Sequence, residues 1–313
     1  VSALLTALLA LGVGAPAWSA LRGAAADRRW PPLGRFVPAQ GGRAHVVERG
    51  AGPEVALIHG AASNARELLA ALGDRLDGCR LIAPDRPGLG HSRRVAGAER
   101  LGVQAAFLAD VLRATASGPV VAVGHSWGAA VSLRLALDHP DLVRALVLLA
   151  PASHPWPGGT GLANRLAATP VLGHALSWTL PALAGPFLMQ AGIDKGFAPG
   201  PGVPGYGEII GTPLLFRGAT FRANAQDMAR GSAELAAQAP RYADLRLPVA
   251  VVTGQGDRIV ANALHAKGLM AALPHARSHK VPNAGHMPHW VEPERVADII
   301  LSFAQDGADR AIA

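Results

Sequence analysis

The sequence predicts an α/β protein: a doubly wound, mostly parallel sheet interrupted by a helical insertion. Three observations predict it. Short unbroken apolar runs alternate with stretches of helical spacing at both ends of the chain, the pattern of strands buried on both faces. That rhythm stops at Pro151 and resumes at Pro248. The composition, 50% hydrophobic and 16% charged over 313 residues, belongs to a chain that buries a full core and not to a disordered one.

The elements follow in order. Residues 44–49 read as a short strand. The compact run 54–58 ends in His59-Gly60, and 67–76 has helical periodicity. A strand at 80–83 stops before Pro84-Asp85, and 101–116 spaces its apolar residues as a helix. Residues 120–123 form an apolar strand that ends at Gly124. A helix at 127–138 and a buried strand at 142–149 come next. From 151 to 240 no central strand is visible, although Trp156, Trp178, Phe187, Met189, Tyr206, Phe216 and Phe221 fall there. A strand at 248–253, a helix at 263–273, a strand at 278–281 and a helix at 293–303 complete the pattern. The expected divisions are an N-terminal hydrophobic segment (1–30), a first core part (31–150), a helical cap or lid (151–240) and a second core part (241–313).

The N-terminal segment stands apart. Residues 1–21 carry no charged side chain, and Leu4, Leu5, Leu8, Leu9 and Leu11 form an apolar run. About 20 such residues can span a bilayer. A membrane anchor or a cleaved secretory signal is expected, with Ala15-Pro16-Ala17 as a small-x-small cleavage site. The competing reading is an amphipathic helix packed on the domain. The first two readings put the protein on a membrane or outside the cytoplasm.

The net charge of +7 comes from scattered residues, almost all Arg, without a Lys/Arg block. No nucleic-acid partner is expected from that pattern. The single cysteine, Cys79, rules out an intramolecular disulfide and argues against a cysteine-based metal site. No metal and no cofactor are implied.

The sharpest local signal is Gly124-His125-Ser126-Trp127-Gly128, a G-x-S-x-G pentapeptide after an apolar strand and at the start of a helix. A serine on so tight a turn needs glycine neighbours to avoid backbone clashes. The turn lifts the hydroxyl above the sheet edge and leaves the Trp127 N–H at a helix N-terminus, where a developing oxyanion is favoured. A serine hydroxyl also needs a base. His286, in a glycine-containing loop after the last strand, is the candidate. His275, His279 and His289 are its rivals in sequence. Asp257 follows the strand at 249–253 and is the candidate to hold the imidazole in one tautomer. Each of the three sits at the carboxyl end of a strand, where doubly wound folds place their sites. Asp85, crowded by Pro84, Pro87 and Gly88, reads instead as a carboxylate that braces its loop. A second oxyanion donor is expected in the loop His59-Gly60-Ala61-Ala62-Ser63, at the amide of Ala61.

These residues together resemble the α/β-hydrolase-fold serine hydrolases. The matching pieces are His59-Gly60, the run from Asp85 to Ser92, the elbow Gly124–Gly128, the acid loop with Asp257 and the Gly285-His286 loop. They occur in family order and span roughly residues 43 to 303. The resemblance implies an eight-stranded, mostly parallel sheet with a cap inserted after the sixth strand. Within that family, epoxide hydrolases and haloalkane dehalogenases carry Asp at the elbow, so Ser126 disfavours both. Ala61 and Ala62 disfavour lipases of the hormone-sensitive type, which carry a longer glycine run. Carboxylesterases, lactonases, C–C hydrolases, perhydrolases and acyltransferases share the triad.

Substrate choice is expected to lie in the insertion. Between Leu166 and Ile193 there is no Asp, Glu, Lys or Arg. Trp156, Trp178, Phe187 and Met189, with Met287 beside the base, are the candidate substrate-binding residues. The reading that follows is a serine hydrolase acting on a small-molecule ester with an apolar acyl group, or on a lactone. Acyl transfer and C–C cleavage are the alternatives, and a non-catalytic receptor is the third.

Overall fold

The computed structural model describes residues 14–157 and 161–309. After helix α1 (Ala15–Arg29) the chain forms a hairpin of β1 (Arg35–Ala39) and β2 (Gly42–Arg49). Its two-residue turn, Gln40-Gly41, has φ of 46° and 70°, the positive values whose twist suits a hairpin. Sequence reading missed β1. Its Pro38 is tolerated because β1 is the sheet edge.

Then follow β3 (Glu54–Ile58), α2 (Arg66–Leu72), β4 (Arg80–Pro84), α3 (Leu101–Thr115), β5 (Val120–His125), α4 (Trp127–Asp138) and β6 (Val143–Leu149). Among the described residues, four inserted helices come next: α5 (Gly161–Ala167), α6 (Leu172–Phe197), the short α7 (Tyr206–Ile209) and α8 (Gly218–Gln238). The core resumes with β7 (Val249–Gly254), α9 (His265–Ala272), β8 (Arg277–Val281), the single turn α10 (Pro288–Val291) and α11 (Pro293–Asp309). The eight strands form one sheet in the order β1-β2-β4-β3-β5-β6-β7-β8. The β1/β2 and β2/β4 pairs are antiparallel, and every other pair is parallel.

The continuous apolar runs have a simple cause. Successive strand side chains point to opposite faces, and both faces are covered. Ala56, Ile58, Val120, Ala122, Leu146, Leu148, Val249 and Val251 pack with Phe107, Leu108 and Leu133 of α3 and α4. Their neighbours Val55, Leu57, Val121, Val123, Val147, Leu149, Ala250 and Val252 pack with Leu68 and Leu72 of α2 and with Val296, Ile300 and Phe303 of α11.

The N-terminal segment is described only from residue 14 onward, and residues 1–13 lie outside the described residues. Residues 15–29, assigned above to an anchor or signal, form α1, which lies on α6, on α8 and on the turn Thr212–Phe216. Ala15, Ser19 and Ala26 are its buried face. Trp30 donates its indole N–H to the Glu208 carbonyl (2.8 Å), Arg217 pairs with Asp27 (2.7 Å), and Arg29 pairs with Glu208. Among the described residues no helix is long and apolar enough to cross a membrane. That includes α6, which runs unbroken through Pro181 and Pro186.

Candidate active site

The strand β5 ends at His125, and the chain turns abruptly at Ser126 to enter α4. Ser126 has φ 54° and ψ −115°, a combination costly for any residue with a Cβ. Its neighbours show why they are glycine. A Cβ on Gly128 would lie 2.1 Å from the Ile58 carbonyl oxygen, and one on Gly124 would lie 2.5 Å from Ser132 Oγ. The turn is pinned at both sides: the Ser126 amide donates to the Leu149 carbonyl (2.9 Å), and the Ser126 carbonyl accepts from Ala152 N–H (3.2 Å).

Three residues separated widely in sequence meet here. Ser126 Oγ lies 2.9 Å from His286 Nε2, and His286 Nδ1 lies 2.8 Å from Asp257 Oδ2. Asp257 Oδ1 accepts the amides of Ile259 (2.8 Å) and Val260 (3.0 Å). Burial alone would raise the Asp257 pKa. The hydrogen bond and charge of His286, with those two amides, outweigh it and hold the carboxyl below its usual range. Asp257 therefore stays ionised and favours the proton of His286 on Nδ1, which leaves the Nε2 lone pair facing Ser126 Oγ. The His286 loop leans on the insertion, since the His286 amide donates to the Gly196 carbonyl of α6 (2.9 Å).

The rival histidines do other things. His289 is fully buried against Glu67 (Nε2 to Oε1, 2.6 Å), and His275 donates to the Leu247 carbonyl (3.1 Å). His279 lies on β8. Asp85 braces its loop: its carboxylate accepts from His45 Nδ1, Ala65 N and His91 N, each at 2.7 Å.

Loop 59–63 brings Ala61 to the elbow. Gly60 packs so closely that a Cβ there would lie 3.3 Å from Ser126 Cβ. The neighbouring Arg86, fully buried, donates to the carbonyls of His59 (3.0 Å) and Gly60 (2.9 Å) and pairs with Asp227 of α8 (3.0 Å). In a trans peptide the N–H points opposite to the C=O. Holding the Gly60 carbonyl therefore turns the Ala61 amide away from Arg86. The Ala62 amide is taken by Asn224 Oδ1 (2.7 Å). Among the described residues no protein acceptor takes the amides of Ala61 or Trp127, and both residues face the same cavity as Ser126.

That cavity holds about 880 Å³. Ser126, His286 and Met287 line it from the core, and Trp156, Leu180, Met189, Phe216, Phe221 and Met228 from the insertion. Among the described residues no Lys or Arg lines it. Of the expected substrate-binding residues, Trp156, Met189 and Met287 line it. Trp178 does not: it packs against Gly218 of α8, where a Cβ would lie 2.6 Å from its ring. Phe187 does not either, being 82% exposed. A segment without charged residues has no polar stripe to show which face of its helix turns inward.

Sequence reasoning also missed Glu67, which lies under the site on α2. Its Oε1 accepts from His289 Nε2 and from Trp290 Nε1 (2.8 Å), and its Oε2 lies 3.8 Å from His125 Nδ1. His125 in turn donates from Nε2 to the His286 carbonyl (3.0 Å). Burial would raise the Glu67 pKa, but the charge and hydrogen bond of His289, with His125 and Trp290, bring it down to about 2. Burial, then His289, push His125 down to about 3. The ligating atoms of Glu67, His125 and His289 lie within 4.8 Å of one another. The contacts of Glu67 and His125 fasten the loop that carries His286 to α2 and to the elbow.

The fold and this geometry define an α/β hydrolase. The model of the alpha/beta hydrolase family matches residues 55–299, and the chain belongs to that family. An uncharacterized protein of Mycobacterium tuberculosis is 26% identical over 284 residues, covering 87% of this chain and 81% of that one. The 2-hydroxy-6-oxo-6-phenylhexa-2,4-dienoate hydrolase of Burkholderia cepacia is 26% identical over 278 residues, 85% and 92% of the two chains. Among solved structures, a thermophilic esterase from Thermogutta terrifontis superposes with a TM-score of 0.70 at 22% identity, over 87% of this chain and 98% of that one. That last likeness is one of fold.

Proposed function

We propose that the chain is a serine hydrolase that cleaves a carboxylic ester or lactone with an apolar acyl group. The observation that carries this is the relay Asp257–His286–Ser126 at the floor of an apolar cavity, beside two unpaired amides. Ser126 Oγ attacks the carbonyl carbon while its proton passes to His286 Nε2. Asp257 stabilises the imidazolium that forms. The amides of Ala61 and Trp127 hold the oxyanion, each worth a few kcal/mol in such sites (~3 kcal/mol). As the tetrahedral intermediate collapses, His286 returns the proton to the leaving alcohol. A water deprotonated by His286 then releases the acid and restores Ser126.

C–C bond cleavage is the second reading, supported by the name of the Burkholderia cepacia relative. The cavity argues against a carboxylate substrate of that kind, because among the described residues no Lys or Arg lines it and Glu67 does. Acyl transfer uses the same intermediate and differs only in the acceptor. The membrane anchor or export signal stays a proposal for the N-terminal segment 1–30, whose first 13 residues lie outside the described ones. The test of function is initial rates on p-nitrophenyl esters of graded acyl length. Turnover that rises with chain length and vanishes in Ser126→Ala supports the reading. Undiminished turnover in that variant refutes it.

A further inference from the structure

His265 opens α9 and belongs to the cavity wall, next to Trp156 (ring centroids 6.2 Å apart). Its Nδ1 receives two backbone amides, those of Ser153 and His154, each at 3.1 Å. Two donors on one ring nitrogen require a lone pair there, so the neutral ring carries its hydrogen on Nε2. Among the described residues no protein acceptor meets that N–H. Unlike the Trp127 indole N–H, it is not sealed inside the protein. The one open polar atom of a ring in the cavity wall is therefore a donor of fixed direction. Burial first, then His154, hold the ring's pKa down to about 4, so near neutral pH it donates without carrying charge. Ser153 Oγ fixes the position further by donating to the His265 carbonyl (3.0 Å).

We propose that His265 is a specificity-determining residue whose Nε2–H binds an uncharged acceptor oxygen elsewhere in the substrate, away from the scissile carbonyl. The substrate class is then narrower than an alkyl ester: an ester or lactone bearing a second keto or ether oxygen. This rests on the esterase reading above. A donor left unpaired in an apolar wall disfavours the analogue that lacks the oxygen. The charge-free ring and the lack of Lys or Arg in the wall disfavour a carboxylate at the same place.

The test uses the full chain. Rates are compared for p-nitrophenyl hexanoate and its keto analogues with the oxygen at successive carbons, in wild type and His265→Phe. At one position the keto ester should be preferred about 10-fold in kcat/KM over plain hexanoate, and His265→Phe should erase that preference, read as the ratio of the two substrates within each enzyme. No preferred position in wild type, or a preference that survives in His265→Phe, overturns the proposal. A second measurement needs neither turnover nor that variant. In Ser126→Ala, 2-octanone should bind more tightly than its isostere 2-methyl-1-octene and should shift the proton signal of the His265 Nε2–H, which the alkene should not; equal affinity or an unmoved His265 signal overturns the proposal. Ester hydrolysis that persists in Ser126→Ala would instead refute the esterase reading, and the ketone comparison would still decide the role of His265.

Discussion

Replacing Ser126 by glycine should stabilise the fold relative to Ser126→Ala while both variants lose activity. The backbone at φ 54° and ψ −115° is open to glycine and costs a residue with a Cβ roughly 1–3 kcal/mol. Both variants lose the hydroxyl hydrogen bond to His286, so the comparison between them cancels it. Glycine gives back about 0.4–1 kcal/mol through the greater freedom of the unfolded chain, and up to about 0.8 kcal/mol through the lost buried methyl. The balance favours glycine by about 1 kcal/mol. Urea unfolding followed by tryptophan fluorescence, at equal m-values, measures it. At an unstrained buried position the same exchange runs the other way by about 1 kcal/mol. A Ser126→Gly variant less stable than Ser126→Ala by that amount would refute strain at the elbow.

Three further outcomes follow from the same geometry. Asp257→Asn should keep the fold but lower kcat by about 10⁴-fold, since the amide can hold His286 in the wrong tautomer; a loss below about 10-fold would show that Asp257 does not orient the base. Stability should fall on acidification below about pH 6.5. Burial holds the folded pKa values of His59 and His125 at about 4 and 3, below the usual 6.5, so the unfolded chain binds protons that the folded one refuses. Between pH 6 and 5 these two groups contribute about 2.7 kcal/mol per pH unit at most. Glu67, held at about 2 against the usual 4.5, adds a loss that begins only below about pH 4.5. Urea midpoints that stay level from pH 7 to 5 would contradict this. Phe107→Ala, in the fully buried layer under α3, should cost about 3–5 kcal/mol, and a change under 1 kcal/mol in urea unfolding would count against that packing.

The strands of the core were legible because both faces of the sheet are covered, which makes each strand an unbroken apolar run. Strand β3 and helix α4 fall on the expected residues, and most other core boundaries differ by a few residues. The candidate catalytic residues were legible for a related reason: Ser126, Asp257 and His286 each follow a strand, and strand ends can be located from those runs. What was hidden depends on contacts between distant residues. Glu67 meets His289 across 222 positions, and His265 meets Ser153 across 112. Neither leaves a local pattern. The edge strand β1 was masked by Pro38. Helix α1 was only the competing reading of its segment, because the apolar run 1–21 overlaps its first half and suits an anchor or signal equally well. Trp178 and Phe187 were misplaced because their helix has no polar stripe to orient it.

The most direct test of the account is to trap the acyl-enzyme. The full chain would be mixed with a p-nitrophenyl ester, quenched with acid within the first turnover, digested, and read by mass spectrometry. The account predicts the acyl mass on Ser126, in the peptide with Gly124 and Gly128, and its absence in Ser126→Ala. Ester turnover with no acyl mass on Ser126, or with the acyl group on another residue, would contradict it.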